Sequence, residues 1–382
     1  MNSVIREVGI IGKGKMGRDI FNEFLQYDYK LVMICRKPED IEEITASVEK
    51  QLKKMLKRGY LSEAEYERKI NSFTVNTDFS ALKTCDMVIE SVYEDKELKK
   101  SIMKQIEDIV SSDCILASNT SSIPLQMVFE KCIKKDRCLG THFFYPVKVM
   151  KTVEINRASF TRDEYVQAAH QVLRSIGKST LELFEGANMV LTKILCVMTT
   201  HAYRIYEENC LTLEQIDGIL KENLLTLGLF EIVDSTGIGI ILESIENFMS
   251  DRYRSLFMPL YNKGKKAIEA GFPGGTGNMG LAAYEEEQHV ERKTLNGEEA
   301  LHYRNYVLLS VQSILIAEIE YIVQTQGVDR CKLNEAVKEV LGLSEDIDAM
   351  LNRIGRENIN ENLLNFYNKY KDKIYESMGG II

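Results

Sequence analysis

A parallel α/β sheet domain followed by an all-α region is the fold this 382-residue sequence predicts. Three observations predict it. From residue 7 to about 155, short runs that are apolar at nearly every position alternate with amphipathic stretches. A glycine-rich turn directly follows the first of those runs. Beyond about residue 186 the strand-like runs stop and helical periodicity takes over.

The elements follow in order. Val8-Gly9-Ile10-Ile11, Leu31-Val32-Met33-Ile34, Met87-Val88-Ile89, Ile115-Leu116-Ala117 and Cys138-Leu139-Gly140 read as strands. They do not alternate apolar and polar, as expected of strands covered on both faces. Between the first two, Ile20, Phe21, Phe24 and Leu25 recur at helical spacing, and strand-helix-strand repetition implies a parallel, doubly wound sheet. The charged stretch Lys50 to Lys69 is expected to form helices that project from the sheet. Helical periodicity then covers Met189 to Glu208, Leu213 to Leu227 and Tyr303 to Thr325. Gly271 to Gly280 is the densest cluster of chain breakers and reads as a loop, and polar Glu285 to Asn296 as a linker. Both helical parts run from a long apolar helix through a break to a shorter helix, starting near Leu213 or Lys332. That plan suggests a duplicated helical domain, although two unrelated amphipathic helices would look alike.

Composition excludes several classes. The net charge is −9 and the pI near 5.4, which argues against nucleic-acid binding, since phosphates require a basic face. An apolar share of 45% with 27% charged residues is that of a folded globular chain. The 8 cysteines form no CxxC pair and are expected as reduced thiols in a core. The sequence runs straight from Met1 into a strand pattern, so no signal sequence is expected. Lys193 interrupts the best apolar run, so no membrane span is expected. These features together predict a cytoplasmic protein. His170, His201, His289 and His302 show no metal-ligand spacing, and no metal site is expected.

Gly12-Lys13-Gly14-Lys15-Met16-Gly17 is a GxGxxG placed after a strand and opening a helix. Gly12 permits the tight turn, Gly14 admits a pyrophosphate to the backbone, and Gly17 allows close helix-strand packing. The helix N-terminus offers N–H groups and a positive dipole end to the phosphates. Gly12, Gly14, Lys15, Met16 and Gly17 are therefore expected to bind a dinucleotide, which makes the domain Rossmann-type; the bland alternative is a flexible turn. Strand two ends Ile34-Cys35-Arg36-Lys37, with no acid before Glu39. Dinucleotide sites for NAD carry an acid there for the ribose 2′-hydroxyl, whereas an Arg suits the 2′-phosphate of NADP. Arg36 thus tilts the expectation toward NADP over NAD. The alternative is that Arg36 is a solvated charge and Glu39 or Asp40 reaches the ribose.

Four further segments belong together: Val88-Ile-Glu90-Ser-Val-Tyr-Glu94, Ala117-Ser-Asn119-Thr-Ser121-Ser122, Gly140-Thr-His142-Phe-Phe-Tyr-Pro-Val147 and Met150-Lys-Thr-Val-Glu154. With the glycine turn ahead of them they resemble the 3-hydroxyacyl-CoA dehydrogenase family over roughly residues 5 to 160. The chemistry agrees. Oxidising a secondary alcohol needs a hydride acceptor and a base for the hydroxyl proton, and a histidine titrates in the right range. His142 is that candidate. Glu154 alternates with Val153 and Ile155 in an extended run, so it points away from them and could orient the imidazole. The resemblance implies that Ser121 hydrogen-bonds the substrate's 3-oxygen. It also implies that Glu94 and Lys99 contact the cofactor near the nicotinamide ribose, with Asn119 in the same loop. Ser121 could otherwise be a turn or capping residue. Glu90 is assigned no more than loop support. Lys53, Lys54, Lys57 and Arg58 form a basic helical face; the resemblance implies that Arg58 could meet a phosphate of an acyl-CoA, and otherwise the face is simply solvated.

The likeness weakens after the first domain. In Gly186-Ala-Asn-Met-Val-Leu-Thr192-Lys193, Thr192 stands where the family has an Asn that helps bind the substrate. Leu227 to Gly237 keeps the shape of a family run but lacks its proline. The last 90 or so residues look like a second, diverged helical copy, as in the family's longer members. The expected division is 1–186 dinucleotide-binding, 187–290 helical and 291–382 second helical. In shorter members the helical domain forms the dimer interface, which leaves a homodimer open. The leading expectation is an NAD(P)-dependent dehydrogenase of 3-hydroxyacyl thioesters, carried on coenzyme A or on a carrier protein. A dehydrogenase of free polar hydroxy acids, of gulonate or carnitine type, and a non-catalytic cofactor-binding relative are the alternatives.

Overall fold

Each predicted strand forms: β1 (Glu7–Ile11), β2 (Lys30–Ile34), β4 (Met87–Glu90), β5 (Ile115–Ser118) and β6 (Cys138–Phe143), joined by β3 (Phe73–Asn76), β7 (Thr152–Asn156) and β8 (Ser179–Leu183). This computed structural model describes residues 5–184, 189–208, 211–288 and 296–378. The chain divides into two units, Met1–Asn188 and Met189–Ile382.

In the first unit the sheet order is β3-β2-β1-β4-β5-β6-β7-β8. All neighbours are parallel except β6 and β7. The parallel, doubly wound sheet expected from the sequence forms, and β7 adds one antiparallel pairing at β6. Only the short segment Phe144–Lys151 joins β6 to β7, too little chain for a parallel crossover, so the strands run antiparallel. Strand order reverses between β1 and β4, which opens a crevice at the carboxyl ends of those strands, where open α/β sheets take ligands. Helix α1 (Lys15–Phe24) buries Ile20, Phe21 and Phe24 against Val8, Ile10 and Met33 in one core.

Helices α2 (Glu39–Lys57) and α3 (Glu63–Ile70) cover the charged stretch, and they do not project. Ile44, Val48, Leu52 and Leu61 are buried in the hydrophobic core, so one apolar stripe docks while Lys50, Lys53, Lys54 and Lys57 stay outside; Lys69 is buried and donates to the Leu25 carbonyl at 2.6 Å. Helix α4 (Lys96–Glu107) follows β4, short α5 (Leu125–Val128) follows β5, and α6 (Asp163–Ser175) leads into β8.

The second unit is helical: α7 (Val190–Glu207), α8 (Leu213–Asn223), α9 (Leu229–Thr236), α10 (Ile238–Asn247), α11 (Arg254–Glu269), α12 (Leu281–Glu287), α13 (Gly297–Gln326), α14 (Arg330–Leu341), α15 (Ile347–Ile354), α16 (Arg356–Tyr370) and α17 (Lys373–Met378). Helix α8 stops at Asn223, short of the predicted Leu227, because Leu225 leaves the helix to bridge Leu343. Helix α13 starts before the predicted Tyr303 because Asn296 caps it and Glu299 completes a capping box. α13 is also the one described helix long and apolar enough to cross a membrane, a run the reading centred on Lys193 overlooked. Its apolar window is 72% buried inside the unit, as a central helix apolar on all sides would be.

The series α7–α10 and α13–α16 share a plan. Gly237 (φ 101°) separates α9 from α10, and Gly355 (φ 84°) separates α15 from α16. The matching loops pair with each other: Thr226 N–H donates to the Gly342 carbonyl at 3.0 Å and Ser344 N–H to the Leu224 carbonyl at 2.9 Å. Helix α7 packs on α13, α8 also on α13, and α14 on α7, an exchange of partners between the two halves. Both segments read as separate domains therefore lie within one unit, and the junction near residue 290 falls outside the described residues, as do Cys210, His289 and Gly186 to Asn188. The seven described cysteines are unpaired, six of them buried and Cys331 exposed.

Candidate active site

The glycine turn closes on the carboxyl end of β1. Gly12 N–H donates to the Ile34 carbonyl at 3.0 Å, which ties the turn to β2. At Gly12, with φ of 114°, a Cβ would sit 2.3 Å from the Ser91 carbonyl oxygen. At Gly17 it would sit 2.0 Å from the Gly12 carbonyl oxygen, so neither position admits another residue. A Cβ on Gly14, the N-cap of α1, would instead meet open space, which is the room a pyrophosphate needs. No side chain caps α1, so the N–H groups of its first turn, at Lys15, Met16 and Gly17, lack helical acceptors. The cradle fits a dinucleotide. The Lys15 ammonium lies 3.6 Å from the centre of the Tyr145 ring, and Met16 packs partly on the core.

Arg36 is exposed just past β2. The neighbouring acids are engaged: buried Asp40 accepts from Lys13 Nζ at 2.5 Å, and Glu39 lies 3.7 Å from Lys37 Nζ.

At the ends of β6 and β7 the register pairs His142 directly with Glu154. His142 Nδ1 and Glu154 Oε2 are 2.7 Å apart, with His142 6% and Glu154 0% exposed. A carboxylate accepts only, so Nδ1–H is the donor of this pair. The His142 ring also packs on Phe144, with centroids 4.4 Å apart. Antiparallel pairing brings residues twelve apart into contact, and side chains directly opposite share one face of the sheet.

The loop after β5 holds the next group. Asn119 Oδ1 accepts from Phe143 N–H at 2.8 Å, and Asn119 Nδ2 donates to Ser91 Oγ at 3.3 Å. One carboxamide thus joins the ends of β4, β5 and β6 beside His142. Ser121 is half-buried two residues on, with its backbone N–H donated to Glu94 Oε1 at 2.7 Å. Burial would raise the Glu94 carboxyl, but Lys99 and hydrogen bonds from Thr120 and Ser121 hold it below the usual range. Lys99 is only 1% exposed and sits behind Glu94 rather than on the crevice surface.

The fold therefore gathers Gly12, Gly14, Lys15, Met16, Gly17, Glu94, Asn119, Ser121, His142 and Glu154 at one edge of the sheet, with Arg36 at its flank. Arg58 does not join them. It caps the far end of α2, exposed, about 28 Å along the helix from the edge where α2 begins. Thr192 lies half-buried in the first turn of α7, in the second unit. Sequence reading gave Glu90 no more than loop support, although a charge closing a strand otherwise apolar on both faces was a signal that it is held by buried partners.

A dinucleotide cradle beside a buried histidine–carboxylate pair defines a nicotinamide-dependent oxidoreductase. The comparisons with known proteins agree. Residues 7–186 match the 3-hydroxyacyl-CoA dehydrogenase NAD binding domain, and residues 189–284 match the C-terminal domain of the same family. A probable 3-hydroxybutyryl-CoA dehydrogenase of Deinococcus radiodurans is 30% identical over 72% of this chain and 99% of its own. The chain belongs to the 3-hydroxyacyl-CoA dehydrogenase family. A glyoxysomal fatty acid beta-oxidation multifunctional protein of Brassica napus is 29% identical over 70% of this chain, but the match spans only 37% of that longer protein. In fold, the 3-hydroxybutyryl-CoA dehydrogenase of Escherichia coli superposes over 97% of this chain and 96% of its own, with a TM-score of 0.80 at 18% identity.

Proposed function

We propose that this protein interconverts a 3-hydroxyacyl thioester and the corresponding 3-oxoacyl thioester, with coenzyme A as the thioester handle. The observation that carries the reading is the buried His142–Glu154 pair, aligned across the sheet at 2.7 Å beside the Ser121 loop. The chemistry supplied by a bound nicotinamide dinucleotide is hydride exchange with the carbinol carbon. The protein's own groups handle the proton. In oxidation, Nε2 of His142 takes the hydroxyl proton, Glu154 stabilises the imidazolium through Nδ1–H, and Ser121 holds the substrate oxygen. In reduction, the imidazolium returns the proton to the same oxygen.

Three features support NADP as the preferred cofactor. Arg36 is exposed at the end of β2, Asp40 is buried against Lys13, and Glu39 faces Lys37. That leaves a cation rather than a carboxylate where a ribose 2′-substituent would sit.

Acetoacetyl-CoA with NADPH, and separately with NADH, tests both parts through loss of reduced-nicotinamide absorbance. Turnover with the NADPH rate higher is expected. A clear NADH preference rejects the Arg36 assignment. Silence with both cofactors, together with turnover of a free 3-hydroxy acid, rejects the thioester.

A further inference from the structure

Strand β4 reads Met-Val-Ile-Glu and is buried at all four positions, so it ends on a carboxylate that no water reaches. Such a charge must be neutralised and hydrogen-bonded in place. Glu90 is. Its Oε1 accepts from Lys99 Nζ at 2.7 Å and from Val92 N–H at 2.7 Å, and its Oε2 accepts from Ser118 Oγ at 2.6 Å. Lys99, on α4, is equally enclosed. Its ammonium reaches Glu90 Oε1, Glu94 Oε2 at 3.2 Å and the Val92 carbonyl at 3.4 Å, one acceptor for each proton. Glu94 then takes Thr120 Oγ1–H at 2.6 Å, Ser121 N–H at 2.7 Å and Ser122 N–H at 3.1 Å. From the other side, the Glu90 carbonyl accepts Asn119 N–H at 2.8 Å, and Thr120 N–H donates to Ser118 Oγ at 3.3 Å. Every residue from Ser118 to Ser122 is thus held by Glu90 or Glu94, directly or through one hydroxyl.

We propose that Glu90 and Lys99 are positioning residues: Lys99 clamps Glu94 against the buried Glu90, and the clamped Glu94 sets the Asn119–Ser122 loop that presents Ser121 to the substrate. Lys99 thereby acts through Glu94 rather than by touching the cofactor. The inference rests on the reading of Ser121 as the oxygen anchor, but the clamp itself does not depend on which substrate binds. The charge count makes it testable. Two carboxylates and one ammonium leave one negative charge in a largely enclosed site. Lys99→Met leaves two negative charges facing each other, and adding Glu90→Gln returns the count to one.

The experiment compares wild type, Lys99→Met, Glu90→Gln and the double variant as full-length protein. Amide hydrogen exchange over Asn119–Ser122 reads the clamp without substrate. Exchange about tenfold faster in Lys99→Met, and restored at least in part in the double variant, is expected. Unchanged exchange in Lys99→Met, or equal loosening in both, overturns the proposal. Glu90→Gln keeps the Lys99–Glu94 pair and is the fallback should Lys99→Met not fold. It should loosen Thr120, whose N–H reaches the Glu90 side chain through the Ser118 hydroxyl, and exchange at Thr120 identical to wild type also overturns the proposal.

Steady-state kinetics with acetoacetyl-CoA and titration of reduced nucleotide then locate the effect. A kcat about tenfold lower, with nucleotide Kd within about twofold of wild type, is expected of a positioning residue. A nucleotide Kd about tenfold weaker at unchanged kcat means direct cofactor contact and overturns the proposal. Wild-type protein that binds nucleotide yet turns over no thioester refutes the functional reading, while the exchange data still decide the clamp.

Discussion

Acidification from pH 7.5 to 5.0 should cost the helical unit about 2 kcal/mol of stability through one side chain, His201. Its ring lies in α7 with no exposure, Nδ1 is 2.7 Å from the Tyr375 hydroxyl, and the ring packs on Phe366 with centroids 4.5 Å apart. Burial, aided by nearby Arg204, pushes its pKa from 6.5 down to about 3. The unfolded chain therefore binds a proton that the folded chain refuses. His201 contributes stability that is complete above pH 6.5, falls as pH drops, and is gone below pH 3. At pH 5.0 the linkage amounts to about 2 kcal/mol, rising toward about 5 kcal/mol in more acid solution. Asp217, pushed up to about 6 by burial, works in the opposite sense, as do Asp234 and Asp372, whose carboxyls burial also raises. A comparison with His201→Gln cancels them, because glutamine can still meet Tyr375 but takes up no proton. Urea unfolding followed by far-ultraviolet circular dichroism suits a chain with no tryptophan. Wild type should lose about 2 kcal/mol more than His201→Gln between the two pH values. The same pH dependence in both would refute a neutral, desolvated His201.

Three further outcomes are expected. Gly17→Ala should weaken reduced-nucleotide binding about tenfold or more, since its Cβ would lie 2.0 Å from the Gly12 carbonyl oxygen and must open the cradle; titration by nucleotide fluorescence checks this. Glu154→Gln keeps the shape of the pair but not its charge, so kcat with acetoacetyl-CoA should fall about 100-fold while nucleotide Kd holds; unchanged kcat would remove Glu154 from the proton path. Arg36→Ser should reduce kcat/KM with NADPH about tenfold or more and leave NADH nearly untouched, the effect of losing one charge-assisted hydrogen bond; equal losses with both cofactors would dissociate Arg36 from the ribose.

The parts of the site that were legible in the sequence are those with a short-range cause. The glycine turn is one, because backbone clearance at Gly12 and Gly17 is set within a few residues and forbids any side chain. The side-chain alternation around Glu154 is another, since an extended run sends Glu154 away from Val153 and Ile155 whatever it pairs with. Helical stripes such as Ile20, Phe21 and Phe24 belong here too, and so does the capping box at Asn296, which would have placed the start of α13 correctly.

Tertiary structure alone decided the rest. That β7 runs antiparallel to β6 and sets Glu154 squarely opposite His142 depends on the short connection folding back, not on either strand's composition. Lys50 to Lys69 looked like a projecting arm because its charges outnumber its apolar stripe, and only the folded first unit supplies the core that Leu52 and Leu61 join. His201 was indistinguishable from any other isolated histidine until α17 placed Tyr375 beside it, 174 residues away in the chain. Glu90, Lys99 and Glu94 lie on one strand end, one helix and the loop between them, yet they serve a loop that follows β5. Their meeting depends on β4 and β5 being neighbours in the sheet. Steric and periodic constraints are written locally in the chain, but the partners of a buried charge are chosen by strand order, and that order exists only once the sheet has formed.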